Sequence, residues 1–148
     1  PTTDNPGFKA LPEADQKAMA KYAGQTMTTG AQAETFADHY IWVHMQGIAG
    51  GKVYEEVSGE FLGASAQLKA TPNDAALQAK VAQLGQQRTT LFMGETLRGM
   101  LLNAYAFGTL GKIAMVASYV MFLGGILFLI LALLGFAHLR RAATDSVI

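Results

Sequence analysis

From Ile113 to Ala137 the chain reads IAMVASYVMFLGGILFLILALLGFA, without one charged residue. Twenty-five helical residues at about 1.5 Å each reach roughly 37 Å, against a hydrocarbon core of roughly 30 Å, which is enough to cross a bilayer with some tilt. Ile113 to Leu139 hold 22 apolar side chains in 27 positions. The remaining residues are too few and too polar to wrap a helix that is apolar on every side. Residues 112–139 are therefore expected to form a transmembrane helix, with Lys112 and the Arg140–Arg141 pair as snorkelling anchors at its ends. The segment is too long, and lies at the wrong end, for a cleavable signal.

Orientation is less constrained. Arg98 and Lys112 lie near one end of the span, Arg140 and Arg141 near the other. The compact Arg pair favours a cytoplasmic tail at 140–148 and an extracytoplasmic domain at 12–111 in the plasma membrane. The chain begins at Pro1, which fits removal of an upstream segment or of a single Met. The second case leaves the domain cytosolic.

The balance of the composition excludes several classes of function. Eleven Lys and Arg face eleven Asp and Glu, so the basic footprint of a nucleic-acid binder is missing. With no Cys there is no disulfide framework, thiolate metal site or Cys nucleophile. The expected fold class is all-α: a small domain of about four helices, then the span.

Residues 1–11 read as an irregular lead, because Pro1, Pro6, Pro12 and Gly7 oppose regular structure. Pro12 suits the first turn of a helix reaching about Ala23, with Glu13 and Asp15 at its positive end. A second helix is expected from about Gln32 to Ile48, burying Ala33, Ala37, Tyr40, Ile41, His44 and Ile48 on one face. Gly50–Gly51 ends it. A third runs from about Tyr54 to Leu68. The fourth, capped by Asn73 or Thr71 with Asp74 in its first turn, carries the stripe Leu77, Val81, Leu84 and Leu91, interrupted by Arg88. It continues towards Phe107 with irregularity at Gly85, Gly94 and Gly99, and Gly108 and Gly111 allow a bend before the span.

Candidate chemistry is sparse. His39 and His44 are five residues apart, about 140° around a helix, whereas chelation from one helix needs spacing of three or four. His44 reads as a core histidine, His39 as solvent-facing or at a partner surface, and His138 as interfacial. Glu55, Glu56 and Glu60 read as the wet side of a short helix. Ser58 and Ser65 have no His at suggestive spacing, and Ile48–Lys52 (IAGGK) lacks the phosphate-loop pattern. No catalytic residue, metal ligand or cofactor site is assigned. Glu95 and Arg98, three apart, are close enough to pair on a helix surface. Tyr105 and Phe107 lie where an aromatic belt would sit. Within the span, Gly124 and Gly125, with Ala114 and Ser118, form a small-residue face for a neighbouring helix.

Three stretches taken together, KYAGQ (Lys21 to Gln25), IAGGKVYEEVS (Ile48 to Ser58) and TLFMGETLRGMLLNAYAFGTLGKIA (Thr90 to Ala114), resemble a family of small actinobacterial membrane proteins, mostly of unknown function. The resemblance covers about 11–139, and Gly94–Gly99 (GETLRG) is its most specific part. It implies a helical extracytoplasmic domain held between an N-terminal and a C-terminal span. The N-terminal span has no counterpart in this sequence. Some members carry a ring-opening dioxygenase label, which these residues oppose, since such iron sites need two His and a carboxylate converging on one metal.

Proteins of this kind are similar to accessory subunits of actinobacterial respiratory assemblies such as the cytochrome bcc–aa3 supercomplex. The leading expectation is thus a non-catalytic accessory subunit that contacts the bilayer and larger membrane-protein subunits through Glu95, Arg98, Asn103, Tyr105, Gly124 and Gly125. The alternative is a free-standing envelope protein that binds a lipid, quinone or other apolar ligand between its helices. A third reading, an iron- or haem-dependent enzyme, would rest on His39 and His44.

Overall fold

A computed structural model describes residues 2–145, with side chains through residue 142. The described chain is all-helical and contains no strand. Its elements are α1 (Pro6–Lys9), α2 (Glu13–Ala20), α3 (Gly30–Phe36), a π-helical segment (Ala37–Ile41), α4 (Trp42–Ile48), α5 (Tyr54–Ala70) and α6 (Ala75–Asp145). Two compact units divide the chain, the first ending at Gly108 and the second starting at Thr109.

One of the sequence expectations changes at the N-terminal side. The lead expected to be irregular contains α1, because Pro6 occupies the first helical turn and Asn5 caps it, its Oδ1 accepting from the Gly7 amide at 2.8 Å. Pro1 lies outside the described residues. Phe8 and Leu11 are buried against Met19, with Phe36, Tyr40 and Val43 packed around them. The start of α3 carries a full capping box at Thr29 and Gln32.

The largest departure is His44. It is exposed, and Met45 is buried in its place. In a regular helix Met45 would lie about 80° round from Ala37, since eight residues make about 800°. The π-helical segment takes one more residue per turn and so swings Met45 under Ala37. The register of the apolar face slips by one residue across this segment, and the imidazole turns outward.

Gly50 and Gly51 close α4 with positive φ values of 64° and 86°. The Gly51 amide donates to the Gln46 carbonyl at 2.9 Å, the long bond of a Schellman-type end. Gln87 of α6 covers a further orphan, donating to the Ile48 carbonyl at 3.0 Å. Asp74 rather than Asn73 or Thr71 caps α6, its Oδ1 accepting from Leu77 at 3.0 Å.

The main core joins Met45, Val57, Ala64, Leu84 and Leu91, with Phe61, Leu77 and Val81 half-buried around them. Arg88, the break in the apolar stripe, spreads its guanidinium over the rings of Phe61 at 5.2 Å and Tyr54 at 5.7 Å. The chain thereby keeps an aromatic contact at a position where a charge interrupts the pattern.

At Gly30 the backbones come close. A Cβ there would lie 2.9 Å from Tyr105 Cα, and one at Gly108 would lie 3.4 Å from Gly30. The obstacle at Gly30 is backbone and cannot swing aside. Gly30→Ala should cost the helical unit about 1–3 kcal/mol by overpacking, read from its denaturation midpoint.

The irregularity expected at Gly85, Gly94 and Gly99 does not appear, because α6 is helical through all three, and the helix continues through Gly108 and Gly111. A helical glycine costs only about 1 kcal/mol relative to alanine, too little to end a long helix. Helix also runs beyond the expected start of the tail at 140, through Asp145, and residues 146–148 lie outside the described residues. The second unit consists of the C-terminal part of α6. It is long and apolar enough to cross a membrane.

Candidate functional site

The six residues singled out by sequence are placed very differently. Glu95 and Arg98 do not pair with each other. The Glu95 carboxylate accepts from the Tyr54 amide at 3.2 Å, where it covers an orphan donor at the positive end of α5. Glu56 takes the preceding Val53 amide at 2.9 Å. Arg98 turns to the π-helical segment, where it donates to Asp38 at 2.7 Å and lies 5.1 Å from the centre of the Trp42 ring. Each charge is drawn to the helix packed against α6, which competes successfully with a neighbour three residues along.

Asn103 is exposed and Tyr105 half-buried, the latter at the close approach of Gly30. Gly124 and Gly125 face open space: a Cβ at either meets no atom of another side chain within 4 Å. No hydrogen bond, ion pair or ring contact joins any two of these six residues among the described ones, so they form no single site.

The Arg98 cluster is a tie within the helical unit. Asp38 and Arg98 keep 39% and 33% of their side-chain surface, which limits the ion pair to about 1 kcal/mol. Stacking on Trp42 adds a comparable amount. Arg98→Ala should therefore destabilise the unit by about 1–2 kcal/mol and shift the emission of Trp42, the one tryptophan. Arg98→Lys should keep part of the ion pair and weaken the cation–π contact with Trp42. An unchanged midpoint for Arg98→Ala would remove this structural role.

Tyr54 sits in a second polar cluster. Its hydroxyl accepts from Arg88 at 3.3 Å. The Ser58 hydroxyl first, and the Arg88 guanidinium next, hold the phenol below its ordinary range. The sequence has no pattern for this group, whose members come from the first turns of α5 and the N-terminal part of α6.

The histidines are separated. His39 Nδ1 lies 2.7 Å from Asp15 Oδ1, which ties the π-helical segment to α2. His44 Nδ1 lies 2.7 Å from the Tyr40 carbonyl, and its ring tilts against that of Tyr40 at 4.4 Å. Among the described residues no three His, Asp or Glu side chains converge in a way that could hold a metal ion.

The most extensive candidate surface is apolar. Within the second unit Val116, Tyr119, Met121, Phe128 and Leu134 are 61–76% exposed. None of the most hydrophobic window of α6 is buried by the rest of the chain. In the first unit Met93, Leu97 and Met100 are also exposed, at spacings of four and three that put them on one face of α6. No protein-family model, curated protein or solved structure matches this chain.

Proposed function

We propose that this protein is a membrane-anchored, non-catalytic accessory subunit of a larger integral membrane complex. The observation that carries the reading is the bare apolar helix between Ile113 and Leu139, whose large side chains have no partner surface in this chain. Lipid satisfies such side chains, while the open backbone at Gly124 and Gly125 lets a second helix approach. The exposed Met93, Leu97 and Met100 supply an apolar contact for a partner on the helical unit.

In this reading the span docks against larger subunits and the helical unit lies on the extracytoplasmic side, covering or bridging their surfaces. The resemblance to small actinobacterial membrane proteins points to a respiratory assembly, of which the cytochrome bcc–aa3 supercomplex is the specific candidate. Pull-down of the tagged protein from membranes in mild detergent, with mass spectrometry of the co-purifying proteins, tests this directly. Respiratory subunits should be recovered in stoichiometric amount. Another membrane complex in that amount would keep the accessory role and overturn the respiratory assignment. Recovery of the protein alone would overturn both.

A further inference from the structure

Between the end of α2, the turn after it and α3 lies a cavity of about 190 Å³. Met19, Tyr22, Met27 and Phe36 give its apolar walls, and Gln25 and Gln32 its amide edge. An enclosed apolar cavity of about 150 Å³ accepts benzene, so this half-open one has room for a ring with a short substituent. Two thioethers and two aromatic rings favour a ring over an alkyl chain. No charged side chain lines the cavity, which selects a neutral ligand.

The hydrogen-bond pattern at the amide edge then fixes polarity. The Thr28 and Thr29 amides donate at 2.8 and 3.0 Å to the same terminal atom of Gln32, so that atom is the oxygen. The nitrogen gives one hydrogen to Gln25 Oε1 at 3.1 Å. Gln25 is thereby oriented too, with its own nitrogen towards the Lys21 carbonyl at 3.3 Å. Thr35, also on the lining, has given its hydroxyl hydrogen to the Ala31 carbonyl at 2.9 Å. One Gln32 amide hydrogen is left over, on a residue only 8% exposed. A donor on the wall of the cavity is free to bind an acceptor placed there.

We infer that the cavity binds a neutral single-ring compound carrying a carbonyl oxygen. The ring lies among Met19, Met27 and Phe36, and the oxygen accepts the spare Gln32 hydrogen. The inference is independent of the docking role proposed above, and its failure would leave that role untouched.

The test uses the full chain in detergent with ¹³C-methyl methionine. Acetophenone is titrated while the Met19 and Met27 methyl signals are followed, and Met121 in the span reports partition into the micelle. Acetophenone should shift Met19 and Met27 saturably. Ethylbenzene, similar in shape but without the oxygen, should bind roughly fivefold more weakly, the worth of one net hydrogen bond. Gln32→Glu keeps oxygens for the Thr28 and Thr29 amides, deletes the donor and should abolish that preference. Thr35→Leu should fill the cavity and remove the shifts for both probes.

Absence of a saturable shift, or its survival in Thr35→Leu, would overturn the site. Equal binding of the two probes by the native chain would overturn the amide's role, and would do so even if Gln32→Glu did not fold.

Discussion

Replacing Leu91 with alanine should lower the stability of the helical unit by about 3 kcal/mol, because the side chain is large, fully enclosed and held by helices on more than one side. Leu91 is 1% exposed and sits with Met45, Val57 and Leu84 at the centre of the main core. The loss combines the transfer of the deleted carbons with the void they leave. That void collapses poorly, since Gly94, one turn further along α6, is already filled by the Met45 side chain: a Cβ there would lie 2.7 Å from its sulfur. A unit of this size has a total stability on the order of 5–15 kcal/mol, so one substitution removes a substantial share. Leu62→Ala is the natural comparison. Leu62 is 62% exposed on α5, and its truncation should change stability by less than about 0.5 kcal/mol. Denaturant titration of the detergent-solubilised chain, followed by Trp42 emission, measures both. Equal effects for the two variants would mean that the core is not where the structure places it.

The long apolar helix, the all-helical class and the Gly-Gly end of α4 could be read from the sequence because each depends on local composition. A long uncharged apolar run has few alternatives, and paired glycines at a helix end take positive φ at little cost. The start of α1 was equally local, since Asn5 before Pro6 is a cap followed by a first-turn proline, but the density of Pro and Gly hid it. Thr29 and Gln32 likewise have capping-box spacing, at the start of the helix expected from about Gln32.

What stayed hidden was set by tertiary contact. The π-helical segment changes which residue of α4 is buried, and no period of 3.6 reveals that His44 yields to Met45. Glu95 and Arg98 stand at a spacing that permits pairing along one helix. They are instead used by α5 and by Asp38, because an orphan amide and an aromatic-flanked carboxylate bind them more strongly.

Gly124→Leu should sharply reduce co-purification with the proposed partner complex while leaving the denaturation midpoint of the helical unit unchanged. The two readouts separate because Gly124 lies in the second unit and a Cβ there meets no side chain of the protein. In a bilayer both the free and the docked helix are surrounded by apolar groups, so burial of Leu gives little drive to associate. Close packing between helix backbones supplies it, and a four-carbon side chain at the contact holds the helices apart. A loss of about 1.4 kcal/mol at this contact is a tenfold change in affinity, which is enough to strip a detergent-exposed subunit. Leu129→Ala makes a useful control, since it removes volume from an exposed position of the same helix without blocking approach. Loss of the partner with Gly124→Leu and its retention with Leu129→Ala would place the docking face on the glycines. Full recovery with both would exclude that face and shift the contact to the exposed Met93, Leu97 and Met100 of the helical unit.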